Sequence, residues 1–328
     1  MYEEYYGFTE KPFSLTPDPK YLFKSASHAS AFELLQYAVR RREGFVVITG
    51  DIGTGKTTLC RALLEQLDRR TFTGLVLNPF VAEEDLLRVI LQEFGVVSRE
   101  EIKRGHLARV SKAELIETLN EFLLSLQSIG GRALLIVDEA QNLPMPVLEQ
   151  IRILSNLETE KEKLLQIILV GQSNLKDLLR RPELRQLDQR VAIRYDLKPL
   201  SPEETSAYVQ HRLSVAGGGA AVTFTSKALA RVHRHTDGIP RLITLLCDRA
   251  LLAAYSAHAT RVAPEFVHHA AESLELEGPR RTLRTWVRER LAGFAAGITL
   301  AAMAGAGAAM WHYRDYALLL MQLVANRQ

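Results

Sequence analysis

Cysteine is scarce in this chain of 328 residues: there are two, Cys60 and Cys247, far apart in sequence. Two isolated thiols exclude a disulfide framework and a metal centre built on closely spaced cysteines, and they read as reduced thiols of a cytosolic domain. A secretory signal is missing as well. The chain opens MYEEYYGFTE, acidic and aromatic, with no apolar stretch behind a basic start, so the bulk of the protein is expected on the cytoplasmic side. Charge of one sign is not in excess either. The formal net charge of +3 gives no general attraction to polyanions. Internal repeats are lacking, and low complexity is confined to the C-terminal end. What remains is the material of a folded protein: 47% hydrophobic and 24% charged residues, enough apolar surface to bury a core. The length sets an expectation of about two domains before any membrane segment.

Short apolar runs rich in β-branched residues recur at 45–49, 75–78, 133–138, 167–170 and 191–195. Helical patterns lie between them and before the first, at 29–41, 58–67 and 113–126, the last opened by Ser111 and Glu114 as a capping box. Strands alternating with amphipathic helices predict an α/β fold with a parallel sheet covered on both faces. After Leu200 the strand signal disappears. Ser201, Pro202 and Glu204 open a further helix, and helices are expected over 202–214, 226–235, 240–256 and 264–273, with Gly217, Gly218 and Gly219 breaking the first from the second.

Gly50-Asp51-Ile52-Gly53-Thr54-Gly55-Lys56-Thr57 fits G-x-x-x-x-G-K-[ST] without a mismatch, between a strand and a helix. Glycines allow the backbone to curl until successive N–H groups face phosphate oxygens, and the helix N-terminus adds its positive dipole end. Gly50, Asp51, Gly53, Thr54 and Gly55 are therefore candidate binding residues, with Thr58 at the start of the helix. Lys56 is expected on the β- and γ-phosphates, and Thr57 on Mg²⁺.

The run 133–137 ends in Asp138 and Glu139. In a parallel sheet carrying the loop at its C-terminal edge, Asp138 is expected beside Mg²⁺, and Glu139 near the γ-phosphate as general base for water. The run 167–170 is followed by Gly171-Gln172-Ser173-Asn174. A polar side chain there, Gln172 or failing it Asn174, would stand between the acidic strand and the loop and orient water.

These three motifs together resemble AAA+ ATPases. The resemblance implies a helical lid behind the P-loop sheet and two more arginines. Arg190, just before the fifth strand, stands where the family carries an arginine finger that reaches a neighbouring subunit's nucleotide, with Arg185 as fallback; a homo-oligomer follows from it. Arg241, in Gly238-Ile239-Pro240-Arg241, matches the sensor-2 position, which contacts the γ-phosphate within its own subunit. ATP rather than GTP also rests on the resemblance, since no N-K-x-D motif is present.

The opening YEEYYGFTEKPFSLTPDPKYLF with His28, then GFVVITGDIGTGKTTL, LLIVDEAQNL, ILVGQ, PELRQLDQR and DGIPRLI, resemble the ATPases of the general secretion pathway protein A type over about residues 1–275. Similar ATPases serve exosortase and exopolysaccharide systems and, more distantly, transposition. The resemblance implies a cytoplasmic MgATPase whose turnover helps to assemble an envelope machine, type II secretion foremost, through a membrane-bound partner. The arginines before 280 are scattered among acids, so no nucleic acid partner is expected.

From 291 to 310 there are 20 residues without a charge, among them Gly293 and Gly297 four apart, a length that as a helix spans roughly 30 Å. Arg280, Arg281, Arg284, Arg288 and Arg290 precede it, and Trp286, Trp311 and Tyr313 flank it, which predicts a single pass with the N-terminus inside. The expected organisation is a P-loop core over 1–198, a helical lid over 199–276, a basic linker over 277–290, a transmembrane helix over 291–311 and a periplasmic tail over 312–328. Such a tail is too short for the peptidoglycan-binding region that the family carries there: either the sequence is cut short of that region or this member lacks cell-wall binding.

Overall fold

The computed structural model describes residues 1–276, except for 17, 78–82, 99, 102–109, 161 and 218–221. The expected linker, transmembrane helix and tail lie outside the described residues, as do Gly218 and Gly219. Among the described residues no helix is long and apolar enough to cross a membrane.

Five strands form one sheet: β1 (Phe45–Gly50), β2 (Thr71–Val76), β3 (Arg132–Val137), β4 (Leu165–Gly171) and β5 (Ile193–Leu197). Their order is β2-β3-β4-β1-β5, and every pairing is parallel. The three inner strands are buried along almost their whole length, and period two sorts their side chains onto two faces. Phe45, Val47, Leu135, Val137, Ile167 and Leu169 face the helices Glu83–Glu93, Lys112–Ser128 and Met145–Leu154. Val46, Ile48, Leu134, Ile136, Ile168 and Val170 face the helices Ala26–Arg41 and Lys56–Glu65.

The two edge strands depart from their expected limits. β2 starts at Thr71 rather than 75, and β5 runs to Leu197 rather than 195. Each is half exposed, so neither presents the unbroken apolar run by which a doubly covered strand is recognised. The capping boxes at Ser111 and Ser201 are both formed.

The lid comprises the helices Pro202–Val215, Ser226–Thr236, Pro240–Ser256 and Pro264–Ser273. Its predicted lack of strands does not hold. β6 (Thr223–Phe224) and β7 (Arg261–Val262) pair in parallel, each two residues long and too short to leave a period in the sequence. The opening of the chain packs on this lid rather than on the sheet: Tyr2, Tyr6, Phe8 and Phe13 belong to the same apolar cluster as Val209, Leu213, Leu246 and Leu251. The Tyr6 hydroxyl donates to the Ala259 carbonyl at 2.7 Å, and the Tyr2 hydroxyl to Asp248 Oδ1 at 2.5 Å.

Candidate functional site

β1 delivers the loop to the middle of the sheet edge, and the helix Lys56–Glu65 leaves from it. Two glycines make that turn possible. Gly53 has φ +81 and Gly55 φ +98, a region costly for residues with a Cβ. Space is a second constraint: a Cβ on Gly53 would stand 2.6 Å from Arg241 Cβ, and one on Gly55 3.1 Å from His28 Nε2. The loop also braces itself, with Thr54 Oγ1 donating to the Asp51 carbonyl at 2.8 Å. Lys56 is buried, and its ammonium donates to the carbonyls of Gly50 and Asp51, both at 2.9 Å. Burial lowers its pKa, against the opposing pull of Glu139, Asp138 and Asp51.

β3 brings the acids alongside. Asp138 is buried, and its Oδ2 accepts from Thr57 Oγ1 at 2.6 Å. Its Oδ1 accepts the Glu139 backbone N–H at 2.9 Å. Glu139 sits in the left-handed region, φ 52 and ψ 34, a conformation unusual for a residue with a side chain. Because β4 lies between β3 and β1, its end falls between the acids and the loop. Of the two alternatives, Gln172 reaches Glu139, with Nε2 3.4 Å from Oε2; Asn174 is exposed at the start of the next helix. The sequence reading missed Gln141, whose Nε2 donates to Glu139 Oε2 at 2.5 Å.

Above the loop lies a cavity of about 220 Å³, walled by residues 52–58 and Glu139, by Pro240 and Arg241 of the lid, and by the N-terminal segment. The Arg241 backbone N–H donates to the Gly53 carbonyl at 3.1 Å, so the lid helix touches the loop by its first turn. Gly238, at φ +74, has no room for a Cβ, which would run into the Leu200 carbonyl. Gly50, Asp51 and Asp138 do not line the cavity. Leu15, Tyr21, Phe23, Leu200 and Tyr208 give the lining an apolar and aromatic share.

Two further residues of this wall were given no role by the sequence: His28 entered only as part of the family resemblance, and Arg212 not at all. His28 Nε2 donates to the Thr54 carbonyl at 2.9 Å, which leaves Nδ1 to accept from Ser25 Oγ at 2.7 Å; burial lowers its pKa. Arg212 is buried and ties the N-terminal segment to the lid. It donates to the carbonyls of Pro12 (2.7 Å) and Ser14 (2.9 Å) and to the Tyr208 and Thr244 hydroxyls (2.9 and 3.1 Å). Arg190 is brought to neither cavity nor acids: its Nη1 donates to Ser155 Oγ at 2.9 Å, and Arg185 is exposed.

A cradle that two Cβ atoms would fill, a buried ammonium whose hydrogen bonds among the described residues go to backbone carbonyls, and a hydroxyl joined to a carboxylate fit a magnesium-bound polyphosphate. The parallel sheet with the acidic strand two places from the loop, and a helical lid closing over it, defines a P-loop protein of the AAA+ class. Within that class, the chain belongs to the family of general secretion pathway protein A. A family model described as an AAA domain matches residues 39–179. Over 262 residues the chain is 45% identical to "General secretion pathway protein A" of Aeromonas hydrophila, covering 80% of this chain and 46% of that protein. It thus spans about half the length of that curated relative. Solved structures share the fold alone. The Aeropyrum pernix ORC2 protein, in ADPNP-ADP complexes, matches with a TM-score of 0.62 at 16% identity over 83% of this chain and 74% of that one. The Thermotoga maritima RuvB Holliday junction branch migration motor matches at 0.53 and 18%, over 77% and 70%.

Proposed function

We propose that this protein binds and hydrolyses MgATP as a homo-oligomer, and that its turnover serves assembly of an envelope machine of the general secretion type. One observation carries the ATPase reading: Thr57, Asp138 and Glu139 meet at the mouth of a glycine-bent loop whose buried Lys56 donates, among the described residues, to backbone carbonyls. Thr57 and Asp138 would hold Mg²⁺, which when bound neutralises charge between the β- and γ-phosphates. The backbone amides of 53–57 and the Lys56 ammonium would grip phosphate oxygens, and Arg241 would reach the γ-phosphate from the lid. Glu139 would align a water and accept its proton as the oxygen bonds to phosphorus and the bond to the β-phosphate oxygen breaks. Gln172 would help to orient that water. Arg190, held at Ser155 away from its own cavity, suits a finger offered to a neighbouring copy.

The secretion setting is supported by the 45% identity to the Aeromonas protein. Membrane anchoring through 291–311 is supported by that segment's lack of charge and its arginine flank. Phosphate release and nucleotide binding test the chemistry: Glu139→Gln is expected to keep ATP affinity within a few-fold and to stop turnover, and Lys56→Ala to lose binding. Equal loss of binding and turnover in Glu139→Gln contradicts the role given to Glu139. Recovery of the full chain in the soluble fraction after membrane separation contradicts the anchor.

A further inference from the structure

The left-handed turn at Glu139 and the short 3-10 helix Ala140–Asn142 that follows fold the chain back on itself. The side chain two residues later therefore lies over the carboxylate. Gln141 uses both ends of its amide there. Its Nε2 donates to Glu139 Oε2 at 2.5 Å, and its Oε1 accepts the backbone N–H of Gln172 at 2.9 Å. The amide has only one orientation that satisfies both, since a backbone N–H needs the oxygen and a carboxylate needs the nitrogen.

Room for this bridge is made by Gly171. A Cβ there would stand 2.8 Å from Gln141 Oε1. Gly171 is not among the glycines with positive φ, so the lack of a side chain answers to space and not to backbone conformation. The neighbouring Gln172 side chain makes the longer contact to Oε2, at 3.4 Å. Gln141 is thus the nearer of the two amides and joins the acidic turn to the end of β4.

We infer that Gln141 is a positioning residue for the hydrolytic step: it fixes the Glu139 carboxylate through Oε2, leaves Oε1 to face water, and locks that geometry to the end of β4. Of these two, Glu139 makes the contact to the reacting water; Gln141 acts through it. This rests on the reading of Glu139 as general base, and the experiment separates the two.

Steady-state phosphate release and equilibrium ATP binding are measured on the full chain for Glu139→Gln, Gln141→Ala, Gln141→Glu, Gly171→Ala and the double variant Gly171→Ala/Gln141→Ala. Loss of a hydrogen bond to an ionised partner corresponds to roughly 10- to 100-fold. Gln141→Ala is expected to lower kcat by about that factor, with ATP affinity changed less than about threefold. Gln141→Glu keeps the shape but sets carboxylate against carboxylate, and is expected to lose more. Gly171→Ala evicts the amide without altering it but also sets a Cβ 2.8 Å from Leu175 Cδ2, so it is expected to lose at least as much as Gln141→Ala, while the double variant is no slower than Gly171→Ala alone, because each removes the same bridge. If Gln141→Ala melts below the parent protein, Gln141→Met, which keeps length and packing, carries the same comparison. Parental kcat in Gln141→Ala beside a dead Glu139→Gln overturns the inference and leaves the general base standing. Parental turnover in Glu139→Gln overturns the general base itself. Equal losses of kcat and affinity in Gln141→Ala also overturn the inference, since they denote a disturbed site rather than a misplaced carboxylate.

Discussion

Gly53→Ala is the sharpest perturbation of the link between loop and lid. The substitution meets two separate penalties. Backbone at φ +81 costs an L-residue about 1–2 kcal/mol. The new Cβ also falls 2.6 Å from Arg241 Cβ, so the lid helix must retreat, loosening the 3.1 Å bond from the Arg241 N–H to the Gly53 carbonyl, a loss of about 1 kcal/mol. Together these come to about 2–3 kcal/mol, which is roughly 30- to 150-fold in nucleotide affinity if it falls on the binding-competent arrangement. Titration with a fluorescent ATP analogue reads this directly. Gly130→Ala is the matched control, since it has φ +71 with nothing within 4 Å of a Cβ. It carries the backbone penalty alone and lies outside the cavity, so it is expected to lower the melting temperature and leave affinity unchanged. Parental affinity in Gly53→Ala, or equal loss of affinity in both variants, would refute the reasoning.

Gly238→Ala is expected to unfold or detach the lid, because its Cβ meets the Leu200 carbonyl and strikes at the bond from the Leu200 N–H to the Gly238 carbonyl, 2.9 Å; a melting temperature equal to the parent's would disprove this. Arg212→Ala is expected to cost about 2–4 kcal/mol in urea unfolding by leaving the Pro12 and Ser14 carbonyls without their donor, and to open residues 1–16 to limited proteolysis before any other segment. At Asp196, burial favours the neutral acid, yet hydrogen bonds from Lys176, Lys198 and Thr49 outweigh it and hold the pKa at about 2, below the ordinary 3.8. Its contribution to stability is therefore full above pH 4 and is lost as pH falls toward 2. Asp196→Asn is expected to be less stable than the parent at pH 6, with the gap closing by pH 2; a gap that does not change with pH would count against the assignment.

How far the sequence disclosed this site depends on how local each constraint is. Gly53, Gly55, Lys56 and Thr57 were legible because one turn of contiguous chain makes the cradle and every residue type in it has its own reason. The inner strands were legible because burial on both faces leaves unbroken apolar runs, whereas β2 and β5, wet on one side, were displaced at their ends. Gln141 was hidden because its role depends on the left-handed φ of Glu139, which a glutamate does not announce. The contacts of His28 and Arg212 were hidden for a different reason: their partners lie 26 and 200 residues away, and no periodicity reports a pairing at that distance. β6 and β7, two residues each, fall below the length at which alternation carries information.

The attachment of the opening aromatics to the lid sets an order of events during synthesis. Tyr2 finds its hydroxyl partner, Asp248, 246 residues later, which at ribosomal speeds is a delay of roughly 10–50 s. The central sheet can condense during that interval, while Tyr2, Tyr6, Phe8 and Phe13 wait in water without their packing partners. The aromatic segment is thus made long before the helices that cover it.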